Sequence, residues 1–338
     1  MKVLVIGCGS IGRRHAGNAA MMGEAAVMDS DAYAASRCAD ALRIPCFEDL
    51  NAALDWGPDG VVVAAPNHLH IPLALKAVSA GCHVLIEKPI SGSLEHVDFF
   101  LHRAESLGRR VHVVCNMRFH PQILIVREQI RHIGRPLFAR AHYGNYLPNM
   151  RPGVDYRNLY CSRKESGGGV ILDAIHEIDI LMWLFGNVER VFCDAGTLGD
   201  LDLDVEDFAV MSLRHEAGVQ SEIQLDYLRG LRRRGGEVVG SKGTVAWQCD
   251  GKKPQACWVG RCMSGENQWE NLLDEKELNA APMYARVMER FLDAAQGKET
   301  PDLMTGREAL RVLAVALAAK QSADSGKAMA PQERVTSS

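Results

Sequence analysis

The sequence predicts an α/β protein: a doubly wound parallel sheet at the N-terminus, then an α+β domain with an open, mostly antiparallel sheet. Three observations carry this. The first third alternates short apolar runs with helical patterns, the grammar of strand-helix-strand units. Those apolar runs are continuous in Val, Leu, Ile and Ala rather than alternating, as in strands covered on both faces. Beyond about residue 120 the crossovers stop, and strand-like runs succeed one another through Gly-bearing turns.

Taken in order, strands are expected at Lys2 to Ile6, Ala25 to Met28, Val61 to Ala65, His83 to Ile86 and Val111 to Val114. Between them fall helices at Ile11 to Met22, stopped by Gly23; at Ile71 to Ala80, with Pro72 in the first turn and Gly81 behind; and at Leu94 to Leu107, stopped by Gly108. The second half opens with a helix over Gln122 to His132 and a strand over Pro136 to Tyr146. A polar loop from Leu147 to Ser166 leads to one helix over Val170 to Phe185, closed by Gly186. Strands follow at Val188 to Leu198, Phe208 to His215, Val219 to Tyr227, Gly236 to Gly240, Thr244 to Cys249 and Ala256 to Val259. Two helices end the chain, Ala281 to Gln296 and Arg307 to Ala323, the second opened by a capping box in which Thr305 faces Glu308. The expected domains are 1–118 and 119–338, with the last helix free to pack back on the first domain and 326–338 a loose tail.

Composition narrows the partners. With 338 residues, 47% hydrophobic and 24% charged, the chain is long enough for two cores and unlike collagen-like, disordered or coiled-coil sequences. Lys and Arg number 38 against 42 Asp and Glu, a net charge of -4, so no overall basic field exists to hold nucleic acid or an anionic membrane. No apolar run nears the roughly 20 residues of a membrane span; Val312 to Ala319 is typical of the longest. The chain opens on a strand-like run without an export signal, which points to the cytoplasm. Ten cysteines at irregular spacings, with no Cys-x-x-Cys pair and Cys257 and Cys262 the closest, read as free thiols in a reducing compartment, and no metal site is expected.

Gly7-Cys8-Gly9-Ser10-Ile11-Gly12 follows the first strand and opens the first helix. Gly7 permits the tight turn, Gly9 lets a pyrophosphate approach the backbone and Gly12 lets helix and sheet pack closely. The helix N-terminus offers unsatisfied N–H groups. An acidic residue belongs about 20 residues on, where it accepts bonds from the adenosine ribose, and Asp29 ends the second strand there. A carboxylate followed by Ser30 and Asp31, with no Arg, favours NAD over NADP. The first domain therefore reads as a Rossmann domain, with Arg13 available to a phosphate. Two further segments follow strand C-termini, the edge where open parallel sheets bind ligands: Ala65-Pro66-Asn67 with His70, and Glu87-Lys88-Pro89. A cis bond at Pro89 would aim Lys88 into a cleft. His68 and His70 lack the companions of a metal pair, and His70 is assigned to packing under the nicotinamide.

These segments together carry a resemblance. Gly-x-Gly-x-x-Gly with Arg13-Arg14-His15, then Ala65-Pro66-Asn67 with His70, then Ala80-Gly81-x-His83-Val84 running into Glu87-Lys88-Pro89, resembles the Gfo/Idh/MocA family of glucose-fructose oxidoreductases and inositol dehydrogenases. Arg118-Phe119, Gly167-Gly168-Gly169 leading to Asp173, His176 and Asp179, and Gly240-Ser241-Lys242-Gly243-Thr244 extend it across nearly the whole chain. The resemblance implies a nicotinamide dinucleotide domain followed by a sheet domain that carries substrate and forms a homodimer or homotetramer. It implies Lys88 as the active-site lysine and His176 as the catalytic histidine, with Asp173 and Asp179 beside it; Asp173 stands three residues before His176, where inositol dehydrogenases space the pair by four. Both spacings leave an Asp and a His on one face of a continuous helix.

The side chains suit alcohol oxidation. An imidazole takes the hydroxyl proton, an ammonium stabilises the alkoxide and a carboxylate orients the imidazole. Arg118, Asn145 and Asp179 are candidate contacts for hydroxyl or carboxylate groups. The loop arginines Arg151, Arg157 and Arg163 suit an anionic substrate or a neighbouring subunit. The expected function is an NAD-dependent dehydrogenase acting on a ring hydroxyl of a sugar, sugar derivative or cyclitol. The rivals are an NAD-dependent glycoside hydrolase with transient ring oxidation and a non-catalytic sensor on the same fold.

Overall fold

The protein is described from a computed structural model covering residues 1–252, 255–279 and 281–333. The end of the expected loose tail, 334–338, lies outside the described residues. Two compact units divide the chain: residues 1–116 with 281–310, and residues 117–279 with 311–333.

In the first unit, β1 (Lys2–Ile6), α1 (Ser10–Met22), β2 (Glu24–Met28), α2 (Ala32–Leu42), β3 (Cys46–Phe47), α3 (Leu50–Asp55) and β4 (Gly60–Val63) make one half. The other half is α4 (His70–Ser79), β5 (His83–Glu87), α5 (Val97–Ser106) and β6 (Val111–Val114). The sheet is parallel throughout, in the order β3-β2-β1-β4-β5-β6. Chain order reverses between β1 and β4, so the C-terminal ends of these strands form the switch-point edge. The central strands are apolar without interruption because helices cover both faces; Val61, Val62 and Val63 have no exposed surface. β3, α2 and α3 were not foreseen. β3 has two residues and sits at the edge, too short for periodicity to show.

In the second unit, α6 (Pro121–Ile130) precedes β7 (Pro136–Gly144), and α7 (Val170–Asp173) and α8 (His176–Phe185) precede β8 (Val188–Gly196), β9 (Phe208–His215), β10 (Gln220–Asp226), β11 (Arg233–Gly240), β12 (Gly243–Asp250), β13 (Ala256–Met263) and β14 (Glu270–Glu275). Their order is β14-β13-β12-β11-β7-β10-β9-β8. Every pairing is antiparallel except β7 with β10. Side chains on β9 and β10 alternate buried and exposed, as in a sheet with one covered face. The expected Val170 to Phe185 helix is in fact two: α7 ends at Asp173 and α8 restarts at His176.

The expected second domain, 119–338, differs from the observed unit at 281–310. α9 (Pro282–Ala295) belongs to the first unit because its apolar stripe, Met283, Val287, Met288 and Phe291, is buried there. The Phe291 ring occupies the space that a side chain at Gly60 of β4 would fill. α10 (Gly306–Ser325) begins in the first unit, where Val113 N–H donates to Met304 O at 3.0 Å, and runs on into the second. Its capping box is closed both ways: Thr305 N–H donates to Glu308 Oε2 at 2.8 Å and Glu308 N–H to Thr305 Oγ1 at 3.2 Å.

His112 of β6 is buried beside Met304 O, and burial pushes it down to about 4. A base kept neutral in the folded chain contributes stability above the ordinary value near 6.5, and that stability is lost as pH falls from there through about 4. Urea unfolding is expected to show the first unit losing about 2 kcal/mol between pH 7 and pH 5 through this group, with a flatter slope in His112→Gln.

Candidate functional site

In the first unit the chain turns at Gly7, which has φ +100 and donates its N–H to Met28 O at 2.8 Å. Gly12 packs against that turn so closely that a Cβ there would run into the carbonyl of Gly7. At Gly9 a Cβ would meet no protein atom within 4 Å. Gly9 is the N-cap of α1, and no side chain caps the helix and no acidic residue stands in its first turn. Gly9 and Ser10 are exposed, Ile11 is half-buried and Arg13 is exposed. Open space therefore lies in front of uncapped N–H groups, the arrangement that receives a pyrophosphate. Asp29 is half-buried; its carboxylate accepts from Cys8 N–H at 2.6 Å and Asp31 N–H at 2.9 Å, which holds it against the turn. These residues fit a dinucleotide.

The other two loops on this edge are tied to the sheet by histidines. Glu87 Oε1 lies 2.7 Å from Nε2 of His15, a fully buried residue of α1, and Glu87 Oε2 accepts from Lys88 N–H at 3.2 Å. Glu87 is thus committed to α1. The Lys88–Pro89 bond is cis, as the sequence suggested, and Lys88 is half-buried. His70, expected to pack under the nicotinamide, ties the two loops together. It has no exposed surface, and its two ring nitrogens lie 2.8 Å from Pro89 O and 2.8 Å from Ala65 O. Burial pushes its pKa down, against the two carbonyls, which favour the protonated ring. Of the Ala65-Pro66-Asn67 segment, Pro66 is exposed and Asn67 buried.

In the second unit, Asp173 and His176 do not share one helix face, because the helix breaks at Ala174 and Ile175. Asp173 accepts a hydrogen bond from Tyr160 Oη at 2.5 Å. His176 opens α8 and is 8% exposed. Arg118 and Asp179, both offered by the sequence as site residues, lie together in the second unit. They form a bidentate pair, Nη2 to Oδ1 at 2.7 Å and Nε to Oδ1 at 3.1 Å, at 2% and 0% exposure, and the Arg118 guanidinium lies 5.4 Å from the Trp183 ring centroid. The pair braces α8. Asn145 is buried, its N–H on Asp226 O at 3.1 Å.

Sequence reasoning missed the residue beside His176. Glu177 is buried 2.6 Å from Arg234 Nε; burial pushes its carboxyl up, and Arg234 opposes this. A carboxylate inside an apolar helix was the available signal. The loop arginines are engaged locally: Arg157 is bidentate to Asp155 (2.7 Å at Nη2) and Arg163 Nε donates to Arg157 O at 3.1 Å. His120, Cys249 and Cys257, distant in sequence, converge where no metal-ligand spacing could be read. A cavity of about 530 Å³ on the sheet, lined by Arg140, His142, Glu222, Arg229, Arg233 and Trp258 among others, includes none of the expected site residues. No helix among the described residues is long and apolar enough to cross a membrane.

An NAD-type nucleotide edge followed by a sheet unit defines a class, and comparison with known proteins gives the family. Residues 1–115 match the model of the oxidoreductase family, NAD-binding Rossmann fold, and residues 124–246 match the GFO/IDH/MocA C-terminal domain. The chain belongs to the GFO/IDH/MocA family and is an NAD-binding oxidoreductase. It is 29% identical over 279 residues to 1,5-anhydro-D-fructose reductase of Ensifer adhaerens, spanning 80% of this chain and 79% of that protein. It is 29% identical over 260 residues to myo-inositol 2-dehydrogenase of Thermotoga maritima, spanning 72% and 74%. Among solved structures, the WlbA dehydrogenase from Bordetella pertussis in complex with NADH and UDP-GlcNAcA superposes with TM-score 0.80 at 25% identity over 98% of each chain.

Gly9→Ala separates nucleotide binding from folding. The added methyl meets no protein atom, so thermal stability is expected to stay within about 1 °C of the parent while NAD affinity falls about tenfold or more by titration calorimetry.

Proposed function

We propose that this protein is an NAD-dependent dehydrogenase acting on a CH–OH group, oxidising a ring hydroxyl of a sugar, sugar derivative or cyclitol. The observation that carries the reading is the anchoring of Lys88. It stands at the C-terminal end of β5, with Glu87 fixed to His15 and Pro89 O fixed to His70, so the lysine backbone is set on the same edge as the Gly-rich turn. The relatives support the substrate class, since their names are those of enzymes acting on inositol and anhydrofructose.

The cofactor, when bound, supplies the hydride acceptor. Gly7, Gly9, Ser10, Ile11, Gly12 and Arg13 hold its pyrophosphate, and Asp29 takes the adenosine ribose hydroxyls in preference to a 2′-phosphate. Ala65, Pro66 and Asn67 line the nicotinamide side. His176 accepts the proton of the substrate hydroxyl, and the Lys88 ammonium stabilises the oxygen as negative charge builds there. The product is the ring ketone. Asp173, held by Tyr160, is a polar wall beside this chemistry, while Arg118 and Asp179 set the position of α8 and so of His176. Asn145 is the remaining candidate for a substrate hydroxyl. A homodimer or homotetramer through the second unit's sheet completes the proposal. The polar cavity lined by Arg140, Glu222, Arg229 and Arg233 suits a paired, charge-complementary face.

The reading is tested by incubating the protein with NAD and a panel of sugars, inositols and sugar nucleotides. NADH is expected to accumulate with at least one ring polyol. Lys88→Ala and His176→Ala should each lower kcat by about 10²- to 10⁴-fold, with NAD affinity retained. Release of an aryl leaving group from glycosides without net NADH would favour the hydrolase. Unchanged physiological activity in both variants would favour a sensor.

A further inference from the structure

The second unit holds a side-chain cluster that the dehydrogenase chemistry does not use. Cys249 of β12 and Cys257 of β13 are directly opposite each other in the antiparallel ladder, with Sγ atoms 2.7 Å apart. His120, the N-cap of α6, brings its ring to the same point: one donor atom from each of the three residues lies within 4.8 Å of the other two. The three are 2%, 1% and 2% exposed for His120, Cys249 and Cys257. We propose that His120, Cys249 and Cys257 form a binding site for a thiophilic divalent cation, zinc in the first instance, that ties the start of α6 to the β12–β13 rung.

Several features favour a cation over a bare thiol pair. Two thiolates and an imidazole are a donor set zinc favours, and the imidazole comes from the start of α6, more than 120 residues from the β12–β13 pair that carries the sulfurs. A disulfide would leave the imidazole without a part. Gln255 supplies a further donor, its Oε1 lying 3.8 Å from Cys249 Sγ, so that a fourth position is open to this amide or to water. The support behind the cluster is rigid. Gln122, two residues after His120 and fully buried, donates from Nε2 to Gln248 O at 2.7 Å and to Trp258 O at 3.0 Å. Those carbonyls belong to the residues next to the two cysteines, so one amide sets the distance between the helix that carries the imidazole and the rung that carries the sulfurs. Around zinc, with Zn–S of about 2.3 Å, two thiolates stand about 3.7 Å apart, so the pair opens by about 1 Å on binding and the cation displaces any thiol proton to solvent.

The test uses the full chain, reduced and stripped of metal with a chelator under anaerobic conditions, then titrated with Co²⁺ and, in competition, with Zn²⁺. The expected result is a thiolate-to-cobalt charge-transfer band that saturates at one equivalent and is displaced by zinc. Cys249→Ser and Cys257→Ser should each weaken cobalt binding about 100-fold or more, and His120→Asn, which keeps a helix cap, about 10- to 100-fold. Circular dichroism and NAD affinity, read in the same variants, confirm that they are folded. The proposal is overturned if the reduced chain takes up no stoichiometric cobalt, or if the band survives unchanged in Cys249→Ser, which would assign it to other cysteines. It is equally overturned if Cys249 and Cys257 are isolated as a disulfide, the chain lighter by two hydrogens, and the reduced form binds no metal.

Discussion

The contact on which the nucleotide edge depends is the 2.7 Å bond between Glu87 and His15. It joins the first helix after the Gly-rich turn to the end of β5, where Lys88 stands. His15 is wholly buried, so the carboxylate accepts this bond away from water, where an unmatched partner would be costly. His70 does the same for the other two loops, bridging Ala65 O and Pro89 O. The loops on this edge are thus set by residues that face the core. The short segment Glu87-Lys88-Pro89 is held at both ends: the Glu87 side chain binds the helix and the Pro89 carbonyl is clamped by His70.

The second unit uses the same economy with ion pairs. Arg118–Asp179 and Arg234–Glu177 both grip α8, the helix that His176 opens. A buried pair is weak as a source of stability but strict about geometry, since removing either partner strands the other charge. Two such pairs on one helix fix its rotation and therefore the direction of its first residue. The break at Ala174 and Ile175 matters for the same reason. It takes Asp173 out of α8, and the Asp173 carboxylate accepts a hydrogen bond from Tyr160.

Much of this was legible in the sequence. Five of the six parallel strands, all but the two-residue edge strand β3, were found within a residue or two because unbroken Val, Leu and Ile runs ending in turns have few other readings. The capping box at Thr305 and Glu308 was read correctly because its hydrogen bonds are local. The Gly-rich turn and Asp29 were legible because a fixed spacing along the chain is also a fixed geometry at a strand-helix junction. Other features were not legible. β14, with an irregular polar pattern, gives no period-2 signal. α9 carries an amphipathic stripe, but a stripe does not say which core it joins, so its membership of the first unit could not be read.

The sequence by itself determined the fold class, the nucleotide edge and the family, all of which follow from local pattern and short-range spacing. Tertiary structure alone decided which polar groups spend their bonds on one another. Arg118 and Asp179, apart in sequence, became a buried ion pair. His120, Cys249 and Cys257, with no spacing to betray them, became neighbours because β12 and β13 pair in the register that sets the two cysteines opposite and α6 starts above that rung. Strand register and helix placement are settled by packing over the whole unit. A side chain's partner across the fold is therefore a property of the assembled core rather than of its neighbours in the chain.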